Sequence, residues 1–187
     1  MPRTALLPIT LLLLAAAPGP IRYIVDTEAT SVSAKVAFLG LASKTAQFPK
    51  VTGGATLSPA DPQSMRLDVT LDARALQAPD RVTLRRLRGE KFFWVEKYPT
   101  VRFRGTGLEL TDARRGHVDG QLTARGVTRP VRLNITFDTP PRDAEAGGPL
   151  RLTGTTTIDR REFGMTAYSL IVGKKVDIEI RARMTPG

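Results

Sequence analysis

Alternation with a period of two runs through most of this chain and limits its fold more than any other feature. In Val131-Arg132-Leu133-Asn134-Ile135-Thr136-Phe137 every odd position is apolar and every even one polar. Leu67–Leu71 and Val176–Met184 repeat the pattern, with shorter versions at Thr100–Arg104 and Ser31–Phe38. Successive side chains of a strand leave opposite faces, so each run has one dry face and one wet face. That is the pattern of antiparallel sheet. Gly53-Gly54, Ser58–Pro62, Thr111 to Gly116 and Ala146–Pro149 read as the breaks between runs. Strands at this spacing, without internal repeats, predict one all-β sandwich or barrel.

One stretch breaks the period. Asp80 is placed to cap a short helix, because its carboxylate can accept from the orphan amides of a first turn. Leu84 and Leu87 share one face, and Gly89 can end the helix. An aromatic knot follows at Lys91-Phe92-Phe93-Trp94-Val95 and closes at Lys97-Tyr98-Pro99. The expectation is one helical insertion around residues 80–95.

The first residues read as a leader rather than as part of the fold. Arg3 precedes an apolar run, Ala5 to Leu14, which small residues follow at Ala15-Ala16-Ala17. The run is short for a membrane span and ordered like a secretory signal peptide. We therefore expect a signal peptide over 1–17, one domain over 18–187, and a periplasmic or secreted protein. A cut after Ala17 would leave Pro18 next to the scissile bond, so cleavage after Ala16 is preferred.

Composition then removes several chemistries. The 187 residues include no Cys and one His, which excludes disulfides, a Cys-His dyad and thiolate or His-rich metal sites. There is no G-x-S-x-G elbow and no phosphate-cradling glycine loop. His117, between Gly116 and Gly120, reads as an exposed turn histidine. A net charge of +10 favours anionic partners such as a membrane surface, whereas 6% aromatic residues are few for stacking nucleic-acid bases. We expect no enzyme activity, no cofactor, no metal and no nucleic-acid partner, in a monomer or homodimer.

Three segments carry a resemblance. Leu87-Arg88-Gly89-Glu90-Lys91-Phe92-Phe93 through Lys97-Tyr98-Pro99-Thr100-Val101-Arg102-Phe103 resembles the central motif of the YceI-like family. Gly120-Gln121-Leu122-Thr123-Ala124-Arg125-Gly126-Val127-Thr128-Arg129-Pro130-Val131 is similar to its G-x-L-T-x-R-G-V-T-x-P-V segment. Ile158-Asp159-Arg160-Arg161-Glu162-Phe163-Gly164 resembles its I-D-R-x-x-F-G. The sequence departs from the family at Ala46, where a Gly is usual, and at Arg81-Val82-Thr83, where the helix normally opens with an acidic-x-His pattern. The resemblance implies a lipocalin-like closed barrel of about eight antiparallel strands that holds a polyisoprenoid, of the polyprenyl, quinone or prenyl phosphate type.

The candidate wall or mouth residues of such a cavity are Phe38, Phe48, Leu87, Phe92, Phe93, Trp94, Phe103, Phe163 and Met165. Arg88 and Arg160 are the candidate head-group contacts, and Tyr98 reads as a structural corner beside Pro99. Asp159 and Arg160, adjacent in a strand, should face opposite ways. Two other readings stay open. One is a filled barrel whose basic exterior docks on a membrane or an acidic partner; the other is an enzyme with two carboxylates facing one cleft.

Overall fold

The computed structural model describes residues 19–145 and 147–187, so the signal peptide expected over 1–17 lies outside the described residues. Ten strands are laid down in chain order: β1 (Ile21–Val25), β2 (Ser31–Phe38), β3 (Ala42–Phe48), β4 (Val51–Leu57), β5 (Arg66–Asp72), β6 (Thr100–Leu110), β7 (Arg115–Ala124), β8 (Val127–Phe137), β9 (Leu150–Asp159) and β10 (Val172–Pro186). All pairings are antiparallel, and each strand from β4 to β10 pairs with the next.

The wall has eight strands rather than ten because two of them are interrupted. β1 and β2 form one line broken at Asp26–Thr30, and β3 and β4 another broken at Pro49-Lys50. The end of β10 pairs with β1 through Val25↔Met184, and its earlier part with β2 through Val32↔Ile180. At the first break the Thr30 hydroxyl stands in for the missing ladder, 3.2 Å from both the amide and the carbonyl of Arg183. With β1 also paired to β4, the sheet closes on itself. This is the closed antiparallel barrel of eight strands that the family resemblance implied, and it settles the choice between sandwich and barrel that the alternation left open.

Gly53-Gly54 is not a turn. Both glycines lie inside β4, between β1 and β5. The backbones approach so closely that a Cβ on Gly53 would stand 2.2 Å from the Asp68 carbonyl oxygen, and Gly53 has φ +111°. Glycine serves close approach here, the other meaning it has within a strand.

One helix, α1 (Arg81–Arg88), follows β5. The Asp80 carboxylate accepts from the Thr83 amide at 2.8 Å, and Gly89 ends the helix with its amide donating to the Arg85 and Arg86 carbonyls. The insertion has a structural task. β3 has no strand on its outer side, and residues 73–99 cover that edge. Gln47 and Gln77 exchange backbone hydrogen bonds at 2.9 and 3.0 Å, and Lys44 reaches Asp80 at 2.9 Å. An open strand edge invites association with other chains.

Candidate functional site

The two storeys of the barrel are filled differently. At the end where β1 begins and β10 finishes, Tyr23, Leu57, Met65, Leu108, Val118, Ile135 and Phe137 are at most 2% exposed and form a solid floor. Toward α1 the inward side chains loosen. Along β10, Ala182 and Met184 are buried, whereas Val176, Ile178 and Ile180 are only half-buried although they face inward. The same gradient runs along β9, from buried Leu150 and Leu152 to half-buried Thr156 and Ile158.

What remains is a cavity of about 190 Å³. Its lining is almost wholly apolar. Small residues create the space: Ala34 and Ala46, directly paired across β2 and β3, both face it. Phe103 lies over Gly105 and Gly120, where any Cβ would collide with its ring at 2.9 and 2.5 Å. Half-buried Val36, Lys44, Thr83, Leu87 and Val172 stand at the α1 end of the lining and mark the mouth.

Among the sequence candidates, Phe48, Leu87, Phe92, Phe93, Phe103, Met165 and Arg160 line the cavity. Phe48 and Phe93 meet edge to face at 5.6 Å. The other four candidates lie elsewhere. Phe163 is fully buried without facing the hollow, because β9 ends at Asp159 and a 3₁₀ turn over Arg160–Phe163 changes the side-chain phase. Trp94 packs outside against Tyr98 at 5.8 Å with the Lys97 ammonium 4.5 Å above its ring. Phe38 sits at the end of β2, half-buried, with Lys44 over it at 5.7 Å. Arg88 donates to the carbonyls of Arg74 and Leu76, at 2.8 and 3.4 Å, and ties the insertion to itself.

Arg160 is the one buried cation of the lining, at 3% exposure. Its guanidinium donates to three carbonyls, those of Gly173 at 2.8 Å, Val172 at 2.9 Å and Met165, and stands 5.9 Å from the centre of the Phe92 ring. Burial pulls its pKa below the ordinary arginine value, but arginine stays protonated at neutral pH. Among the described residues no carboxylate forms an ion pair with it: Asp159 turns the other way and binds Arg161 at 2.6 Å. Side-chain hydrogen bonds from Arg161 hold the Asp159 carboxyl well below the usual range.

Arg125, with φ 51°, donates to the Gly164 carbonyl at 2.7 Å and to the Glu90 carbonyl at 2.9 Å, stitching the two mouth segments together. In the sequence Arg125 stood out only as a member of the segment Gly120–Val131. His117 stands inside β7 rather than in a turn, with its Nε2 3.2 Å from the Glu109 carboxylate, and does not line the cavity. No Asp, Glu or His lines the cavity among the described residues, and none of their acidic or imidazole groups cluster in a metal-binding set.

Residues 23–184 match the YceI-like domain. A UPF0312 protein of Pseudomonas putida (strain GB-1) is 28% identical over 145 residues, 76% of each chain. One from Vibrio cholerae is 28% identical over 162 residues, 84% of each. Among solved structures, BcnA of Burkholderia cenocepacia superposes with a TM-score of 0.76 at 21% identity, over 85% of this chain and 98% of that one. A polyisoprenoid-binding domain from Saccharophagus degradans gives 0.68 at 13% identity, over 89% and 99%. At these identities the solved structures speak to the fold, and the match over 23–184 speaks to descent: the chain belongs to the YceI-like family.

Proposed function

We propose that this protein is an exported carrier that holds a long isoprenoid lipid inside its barrel and performs no chemistry on it. The observation that carries the reading is the apolar hollow above a solid floor, open beside α1. Magnitudes select the cargo. A buried methylene contributes roughly 0.8 kcal/mol, so a five-carbon isoprene unit offers at most about 4 kcal/mol. Association costs about 4–15 kcal/mol in lost freedom. One unit barely offsets that, whereas several exceed it.

A polyisoprenoid-binding domain among the structural neighbours supports the same class of ligand. The buried guanidinium of Arg160 would favour a cargo with an oxygen-rich head, such as a quinone or a prenyl phosphate. Export rests on the leader, and the mass of the mature protein tests it: a chain beginning at Ala17 is expected.

Organic extraction of the purified protein followed by mass spectrometry tests the cargo. Recovery of one long isoprenoid per barrel is expected. Ala46→Phe places a ring in the hollow and should cut the recovered lipid at least tenfold while the protein remains folded by circular dichroism. A barrel that yields no lipid and takes up neither quinone nor prenyl phosphate ends the carrier reading.

A further inference from the structure

The mouth carries three leucines with no packing role. Leu41 is 101% exposed, Leu170 99% and Leu39 60%. Leu39 and Leu41 form the β2–β3 turn, and Leu170 stands in the β9–β10 connection. The two tips are joined: the Leu39 amide donates to the Ile171 carbonyl at 2.8 Å, and Phe38 pairs with Val172. Leu39 also holds φ +53°, a conformation that turns usually assign to Gly, Asn or Asp. A strained, solvated leucine gains nothing within the barrel.

The charge around these tips is one-sided. Residues 80–98 and 159–175, which flank the mouth, hold ten basic and five acidic side chains. The floor connections 58–66, 109–116 and 137–151 hold five basic and six acidic ones. On the barrel wall some basic residues are neutralised across strands, as in Arg102–Asp68 at 2.5 Å and Arg132–Asp119 at 2.7 Å, while others such as Arg22 and Arg151 are single charges spaced along the strands. At the mouth, Arg81, Arg85, Lys91, Lys174 and Lys175 make no ion pair among the described residues. Arg86 and Lys91 instead flank the exposed Tyr168 ring at 5.4 and 5.5 Å.

We propose that this end of the barrel docks on an anionic bilayer, with Leu39, Leu41 and Leu170 entering the interface and the basic rim meeting the lipid phosphates. Apolar tips inside a basic ring complement such a surface. The cavity mouth opens at the same end, so docking brings it to the bilayer where a lipid cargo resides. The inference deepens the carrier reading and rests on it for the nature of that cargo.

Flotation of the full mature chain with vesicles of phosphatidylcholine alone, or with 30% phosphatidylglycerol, tests it. Partition onto the anionic vesicles is expected to be at least about tenfold stronger and to weaken with salt. The triple variant Leu39→Ser, Leu41→Ser, Leu170→Ser should lose about tenfold, and Arg85→Gln with Lys174→Gln about 25-fold, since each charge near the surface contributes roughly fivefold. Circular dichroism establishes that both remain folded. Equal binding by the triple variant and the parent overturns the proposal. So does a micromolar dimer that the triple variant dissociates, because the tips then serve a second copy of the chain. Lipid recovered from protein that ignores anionic vesicles overturns docking and leaves the carrier intact. Vesicle binding by a barrel that yields no lipid supports docking and removes the carrier.

Discussion

The floor and the mouth of this barrel are built by the same strands with the same alternation, yet they differ in what the inward positions hold. Near the floor, β8 turns Leu133, Ile135 and Phe137 inward, all buried. Near the mouth, β8 offers Val127 and Val131, and the opposite wall offers Ala34 and Ala46. Volume, not polarity, separates the storeys. An eight-stranded barrel is just wide enough for its interior to be filled by side chains or to hold one slender ligand. This chain does both, in sequence along the axis. The teaching is that stability can be concentrated at one end while the other is left under-packed, and the two can be separated by mutation.

The largest expected effect therefore lies at the floor. Phe137→Ala should cost about 3–5 kcal/mol, because it removes a fully buried ring and leaves a cavity. Ile178→Ala, already facing empty space, should cost less than about 2 kcal/mol, since little new cavity forms. Urea denaturation of delipidated protein measures both. Equal losses would show that the upper storey is packed as tightly as the floor.

Arg160 is the buried exception at the loosely packed mouth, a side chain that organises backbone from inside the cavity lining. Arg160→Leu leaves three carbonyls without their charged donor. Hydrogen bonds to a charged group contribute about 1.5–3 kcal/mol each, partly offset here by removing a buried cation. A loss of about 3 kcal/mol is expected in the same denaturation experiment. Arg160→Lys should restore less than half of it, because one ammonium cannot span three carbonyls set for a planar fork. Full rescue by lysine would break the account.

The wall was legible in the sequence because period two states which side chains turn inward, and in Val131–Phe137 nothing competes with that statement. The hollow was less legible. Alternation assigns Ala34, Ala46, Val176 and Ile178 to the interior, but only the barrel's width tells whether such small residues leave a gap or are filled from across the axis. Aromatic residues misled for the same reason. Phe163 and Trp94 look like ligand contacts in a list of types, yet a 3₁₀ turn and a left-handed backbone at Trp94, φ 49°, aim them elsewhere. Arg88 and Arg160 are indistinguishable as letters; burial and three carbonyls separate them. Gly53-Gly54 failed as a turn because close approach of neighbouring strands asks for the same residue that turns do.

The smallest expected effect concerns how each end is fastened by an aspartate. At the mouth, the Thr83 amide, the Lys44 ammonium and the Thr83 hydroxyl together hold the Asp80 carboxyl far below its ordinary value. At the floor, the amides of Arg114 and Arg115 and the Arg115 side chain hold Asp112 down to about 2 in the β6–β7 turn. A carboxylate depressed on folding stabilises the fold above its unfolded pKa, about 4, and loses that contribution as pH falls toward the folded value. Asp80→Ala should therefore lower Tm at pH 7, and the gap to the parent should narrow between pH 4 and pH 2. Asp112→Ala should show a gap that closes at higher pH than that of Asp80→Ala, because its folded value is less depressed. Thermal melts across this range order the two fastenings: the mouth clasp, tied to both helix and β3, should be the later to yield to acid.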